Sequence, residues 1–123
     1  MSKVQSYHEL IAYQKAYQLV LLIYRMTGPF PKEEVYGLTS QIRRAAFSIP
    51  SNIAEGFMRG SKEYLHFLKI ALGSAAELET QLSLSKDLGY CSEVEFPETQ
   101  ALNEEVIKLL KSYISKMGTR TNN

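Results

Sequence analysis

The stretch QIRRAAFSIPSNIAEG, Gln41–Gly56, decides the fold. Its apolar residues Ile42, Ala45, Ile49 and Ile53 recur at three- and four-residue spacing, the period of a helix buried along one face, and Leu38 extends that face backwards. Pro50 stands inside the run, where the missing amide and the ring clash cost roughly 3 kcal/mol and bend a helix. A helix that stopped at Ile49 and restarted on Asn52, with Glu55 as capping partner, would leave a single turn before Gly56. Ile53 stays in phase with Ile49, so the stretch reads as one kinked helix. Beside its apolar face runs a polar line of Gln41, Arg44, Ser48, Asn52, Glu55 and Arg59.

Downstream, Arg59-Gly60-Ser61 reads as a short turn with Ser61 as an N-cap. The next helix places Tyr64, Leu68, Ala71, Ala75, Leu78 and Leu82 inward, and its small residues Ala71 to Ala76 would let a neighbouring backbone approach closely. Gly89 suits a left-handed C-cap. A turn near Gly60 makes these helices antiparallel, with facing residue numbers that total about 121. Arg44 is then expected to face Glu77, Ser48 to face Gly73 or Ser74, and Asn52 to come level with Lys69. Arg44, Ser48, Asn52 and Glu77 read as a polar seam that fixes register, with Arg43 turned to solvent. A ligand or nucleic-acid role for the same polar residues is the alternative.

Upstream, Ser6-Tyr-His-Glu9 has the form of a capping box. One apolar stripe follows at Leu10, Tyr13, Tyr17, Val20 and Tyr24, and a second at Ala12, Ala16, Leu19, Ile23 and Met26, before Gly28-Pro29 and Pro31 end the helix. At the other end, Ser92-Glu-Val-Glu95 is a second capping box, followed by Leu102, Val106, Leu109, Tyr113 and Met117 on an inward face. The fold class is therefore all-α, an up-down-up-down antiparallel four-helix bundle. One domain spans residues 1–123, with 1–5 and 118–123 expected to fray.

A chain of 123 residues fits one core, and a net charge of +1 gives no global attraction to nucleic acid or anionic lipid. With one cysteine, Cys91, no internal disulfide can form, and a cytoplasmic setting is the simple expectation. The longest apolar run, Leu19–Tyr24, is too short to span a bilayer, and no targeting segment is evident. Of the two histidines, His8 and His66, the second lies in Glu63-Tyr-Leu-His66, which matches the Glu-x-x-His element of di-iron bundles, but no second copy is present, so His66 reads as a satisfied surface histidine. Cys91 reads as an inert thiol. No phosphate loop, zinc spacing or nucleophile elbow occurs, so the expectation is a non-enzyme with no catalytic residue, metal or cofactor.

The segment from Phe30 to Leu82, above all its blocks QIRRAA-SIP-NIAEG and GSAAELE, resembles the four-helix-bundle proteins encoded in intervening sequences of bacterial 23S rRNA genes. ELIAYQKAYQLVLLIY, Glu9–Tyr24, fits as well, and accessory proteins of diversity-generating retroelements look similar. The resemblance implies the same bundle, assembly as a homopentamer, and a link to RNA or to a nucleic-acid enzyme. The retroelement branch is known for a strongly basic surface, which this chain does not match at +1. The reading is an oligomeric binding protein with RNA or ribonucleoprotein as target and Arg43, Arg59, Lys62 and Lys69 as contact residues. A protein-only assembly scaffold is the alternative. The first helix is apolar nearly all round at LVLLIY, so Tyr17, Leu21, Leu22 and Tyr24 are the expected oligomer interface.

Overall fold

The structure, a computed structural model, describes residues 4–121. Four helices account for most of it: α1 (Ile11–Thr27), α2 (Leu38–Arg59), α3 (Ser61–Asp87) and α4 (Glu95–Thr121). Short 3-10 turns at Tyr7–Glu9 and Lys32–Glu34 precede α1 and α2. α1 packs on α2 and α4, and α3 packs on α2 and α4, with no contact across either diagonal among the described residues. This is the up-down-up-down bundle. α4 continues through Gly118, where the sequence suggested a frayed tail; residues 1–3 and 122–123 of the two expected frayed ends lie outside the described residues.

The core is built from one stripe per helix, and the stripes are not all those the spacing suggests. α1 turns Ala12, Ala16, Leu19, Ile23 and Met26 inward, while the tyrosine-bearing stripe stays half-buried or exposed. Alanine at two successive turns lets α1 settle close to its neighbours, which a tyrosine stripe could not do. In α4 the buried line is Phe96, Thr99, Asn103, Val106 and Leu110, with Leu102, Leu109, Tyr113 and Met117 only half-buried. The three-and-four period was there to see, but it passes through polar residues.

α2 runs unbroken through Pro50, which is buried and lines the groove toward α1. It lies tight against α3 at Gly56, where a Cβ would sit 2.6 Å from Phe67 Cβ. The sequence pointed instead to the small residues of α3. Ala71 and Ala75 are indeed buried there, but Gly73 is exposed and a Cβ on it would meet nothing within 4 Å.

The helix ends are closed in different ways. Ser92 Oγ accepts from the Glu95 amide at 3.0 Å and starts α4. Gly89, at φ 75°, ends α3 in a Schellman motif: its amide donates to Lys86 and the Tyr90 amide to Ser85. Ser6 caps the 3-10 turn and not α1, because Leu10 returns to an extended backbone before α1 begins. Ser61 is the first residue of α3 rather than its cap, and Gly60, at φ 101°, makes the turn. α2 has no local cap. The Glu34 carboxylate accepts from the Leu38 amide at 3.0 Å and from the Tyr90 hydroxyl at 3.0 Å. One carboxylate thus holds the α2 N-terminus, where negative charge is favoured, and ties the α1–α2 loop to the α3–α4 loop.

Candidate interaction faces

The α2–α3 register expected from the turn is seen in one bond, Ser48 Oγ to Ser74 Oγ at 3.0 Å. Asn52 Nδ2 donates to the Ser48 carbonyl at 2.8 Å and to Ser48 Oγ at 2.9 Å. The polar seam is therefore Ser48, Asn52 and Ser74. Arg44 and Glu77 do not join it: both are exposed, and the expected ion pair between them is not formed. In water such a pair gains little over two hydrated charges, so nothing draws the side chains together.

The two adjacent arginines have exchanged the roles read from sequence. Arg43, expected in solvent, is half-buried; its Nε donates to Thr27 Oγ1 at 2.8 Å, and its guanidinium lies 4.5 Å from the centre of the Tyr24 ring. Thr27 Oγ1 in turn donates to the Ile23 carbonyl at 2.7 Å, so a buried threonine hydroxyl has both roles filled. Arg59 is also engaged. It meets Glu55 at 2.8 Å and Glu63 at 3.2 Å and lies 5.0 Å from the Phe67 ring centre. Hydrogen bonds to Glu55 and then Glu63 raise its pKa further. Arg43 and Arg59 are separated by roughly 24 Å of helix, so the four contact residues suggested by sequence do not form one patch. Lys62 and Lys69 are exposed and without an ion pair among the described residues.

The face shared by α1 and α2 is apolar and open. Tyr17 and Leu21 are each 54% exposed, Tyr24 43% and Phe47 45%. Tyr13, Tyr17, Val20, Leu21, Phe47 and Pro50 line a groove of about 350 Å³. Leu22, expected beside them, is half-buried and lines a different groove, toward Glu98 and Leu102 of α4. Phe47 was missed; it precedes Ser48 of the polar line by one residue, and only the packing of α1 on α2 reveals it as part of this face.

The groups that could do chemistry are otherwise occupied. His8 stacks on Tyr7 at 4.3 Å and its Nδ1 lies 2.7 Å from Ser6 Oγ. Glu63, half of the Glu-x-x-His motif, is held by Arg59, and no cluster of three metal-binding side chains forms among the described residues. Burial, followed by the charge of Glu95, pushes the Cys91 thiol up, away from the reactive thiolate. No helix of the described residues is long and apolar enough to cross a membrane.

The family model described as 23S rRNA-intervening sequence protein matches residues 8–112. Among solved structures, the chain resembles a protein with unknown function from the S23 ribosomal protein family of Bacteroides thetaiotaomicron VPI-5482. The TM-score is 0.75 and the identity 25%, over 85% of this chain and 98% of that one. No curated protein matches the chain.

Proposed function

Because the chain belongs to the family of 23S rRNA-intervening sequence proteins, we propose that it is a non-enzymatic binding protein. It assembles from identical subunits and acts on RNA or a ribonucleoprotein. The α1–α2 face carries the assembly part of this reading. Tyr17, Leu21, Tyr24 and Phe47 leave a contiguous apolar surface in water, which soluble monomers rarely keep. Aromatic side chains are enriched at the centre of interfaces, and three of these four are aromatic. The family resemblance supports a ring of five, in which every subunit presents this face to a different surface of its neighbour. The RNA part rests on the family and on cations left free to meet phosphate, Lys62 and Lys69 among them.

Sedimentation at micromolar concentration tests the assembly. The wild type should run as an oligomer. Leu21→Glu, which places a charge in the centre of the face, should run as a monomer with unchanged helical circular dichroism. A monomeric wild type would overturn the reading.

A further inference from the structure

We infer that the face shared by α3 and α4 is where this protein takes a nucleic-acid phosphate backbone, through Lys62, Lys69, Lys108 and Lys111. This rests on the RNA reading above and relocates its contact surface. The bond from Asn103 Nδ2 to the Ala75 carbonyl, 3.0 Å, sets the register of the antiparallel pair. Leu65 and Leu72 then come level with Ile114 and Ile107, all four half-buried, and close the seam. The same register brings Lys69 between the levels of Lys108 and Lys111, with Lys62 further along α3. Lys62, His66 and Lys69 stand four and three residues apart, one line on the α3 surface covering roughly 10 Å. Lys108 and Lys111 form the matching line on α4.

All four lysines are exposed and none makes an ion pair among the described residues. The nearby carboxylates are spoken for: Glu55 and Glu63 by Arg59, Glu105 by Lys15 at 3.6 Å. Glu104, exposed one turn before Lys108, marks the edge of the patch. Helix electrostatics does not account for the arrangement. Late lysines suit the negative end of α4, but Lys62 sits in the first turn of α3, where a cation is disfavoured. Antiparallel packing adds the two sets together. A chain of net charge +1 thereby acquires a local cationic strip. Lysines are point charges on flexible stems, without the planar fork that reads base edges or pairs bidentately. Together with the absence of a large exposed aromatic among the strip residues, this favours a phosphate backbone bound without regard to base sequence.

The test is fluorescence anisotropy of a labelled oligouridylate with the full chain across a salt series. The variant Lys62→Gln/Lys69→Gln/Lys108→Gln/Lys111→Gln should bind at least about tenfold more weakly at low salt. Its salt slope should be shallower by about 0.7 for each phosphate that is no longer neutralised. Lys108→Gln/Lys111→Gln alone should give about half the change in slope, since it removes two of the four lysines. The charge-matched control Lys32→Gln/Lys86→Gln, at the opposite end of the bundle, should bind as the wild type does. Wild-type binding that survives loss of all four lysines would overturn this surface and leave the RNA reading standing. No wild-type binding at low salt would overturn both. Binding to phosphatidylserine vesicles but not to RNA would replace the nucleic acid with a membrane.

Discussion

The α1–α2 pair and the α3–α4 pair are the same construction, two antiparallel helices over a shared core, and they present opposite surfaces. Along α1–α2, large apolar side chains flank the seam from outside, and Arg43 at its edge is drawn back onto Thr27 and Tyr24, while Arg44 beside it stays exposed. Along α3–α4, aliphatic residues close the seam and lysines remain at its rim. The fold does not choose between an apolar and a cationic face. The positions on either side of each inward stripe do, because the core does not use them.

The contrast is broken most forcefully inside α1, where two leucines two residues apart belong to different surfaces. Leu19→Ala should cost about 2–5 kcal/mol, the range for truncating a buried leucine. Leu21→Ala should leave the isolated subunit within about 0.5 kcal/mol, as surface changes do. Urea denaturation at a concentration below assembly measures both, and equal losses would mean that the α1–α2 face is closed within one chain.

A smaller effect is expected where the two pairs are joined. Glu34→Ala removes the acceptor that starts α2 and should cost about 0.5–2 kcal/mol, as removal of a cap does. It should also act on the far pair. The Tyr90 phenol is raised first by its hydrogen bond to Glu34 and then by burial, so ultraviolet titration of the variant should find it shifted down. A phenol that does not move would show the two loops to be independent.

The smallest effect lies within the α3–α4 side. The Tyr64 hydroxyl is buried without a hydrogen-bond partner, and burial, then the Tyr113 phenol, push its pKa up to about 12. Tyr64→Phe should be neutral or stabilising by up to about 1 kcal/mol, because it removes an unsatisfied group. The sign of its pH dependence follows from the raised folded-state value. The contribution of the protonated phenol is complete below the unfolded pKa of about 10 and is lost as pH rises toward about 12. Thermal melts of the variant over that interval should fall less than those of the wild type. An equal fall would assign the alkaline loss to other tyrosines.

Much of this architecture was legible because it depends on spacing. Four helices, their order and the α2–α3 register follow from apolar periods and one glycine turn, and Ser48 meets Ser74 as the turn geometry requires. Choosing between two apolar stripes on α1 was not legible, since both have helical period and only the alanines indicate which can sit deep. Asn103 was hidden for the opposite reason: a polar residue in the buried line of α4 looks like surface until Ala75 supplies its acceptor. The arginines failed as neighbours do. Arg43 and Arg44 differ by one step of about 100°, and the sequence contains no sign that Thr27, sixteen residues earlier, waits on one side. The lysine face needed three-dimensional addition, because its halves lie on different helices, far apart along the chain.

Pro50 gives α2 a divided local stability. With no amide at that position, the Ala46 carbonyl lacks its ordinary helical donor, and the hydrogen-bond ladder has a missing rung near its middle. The turns before it are tied to α1 through Arg43, and the turns after it to α3 through the close contact at Gly56. A helix so divided should open from either side without the other following, and its amides are expected to exchange with solvent as two groups rather than one. The apolar groove runs past the proline, with Phe47 before it and Ser51 and Ala54 after it, so a neighbouring subunit that covers this face should slow exchange in both groups.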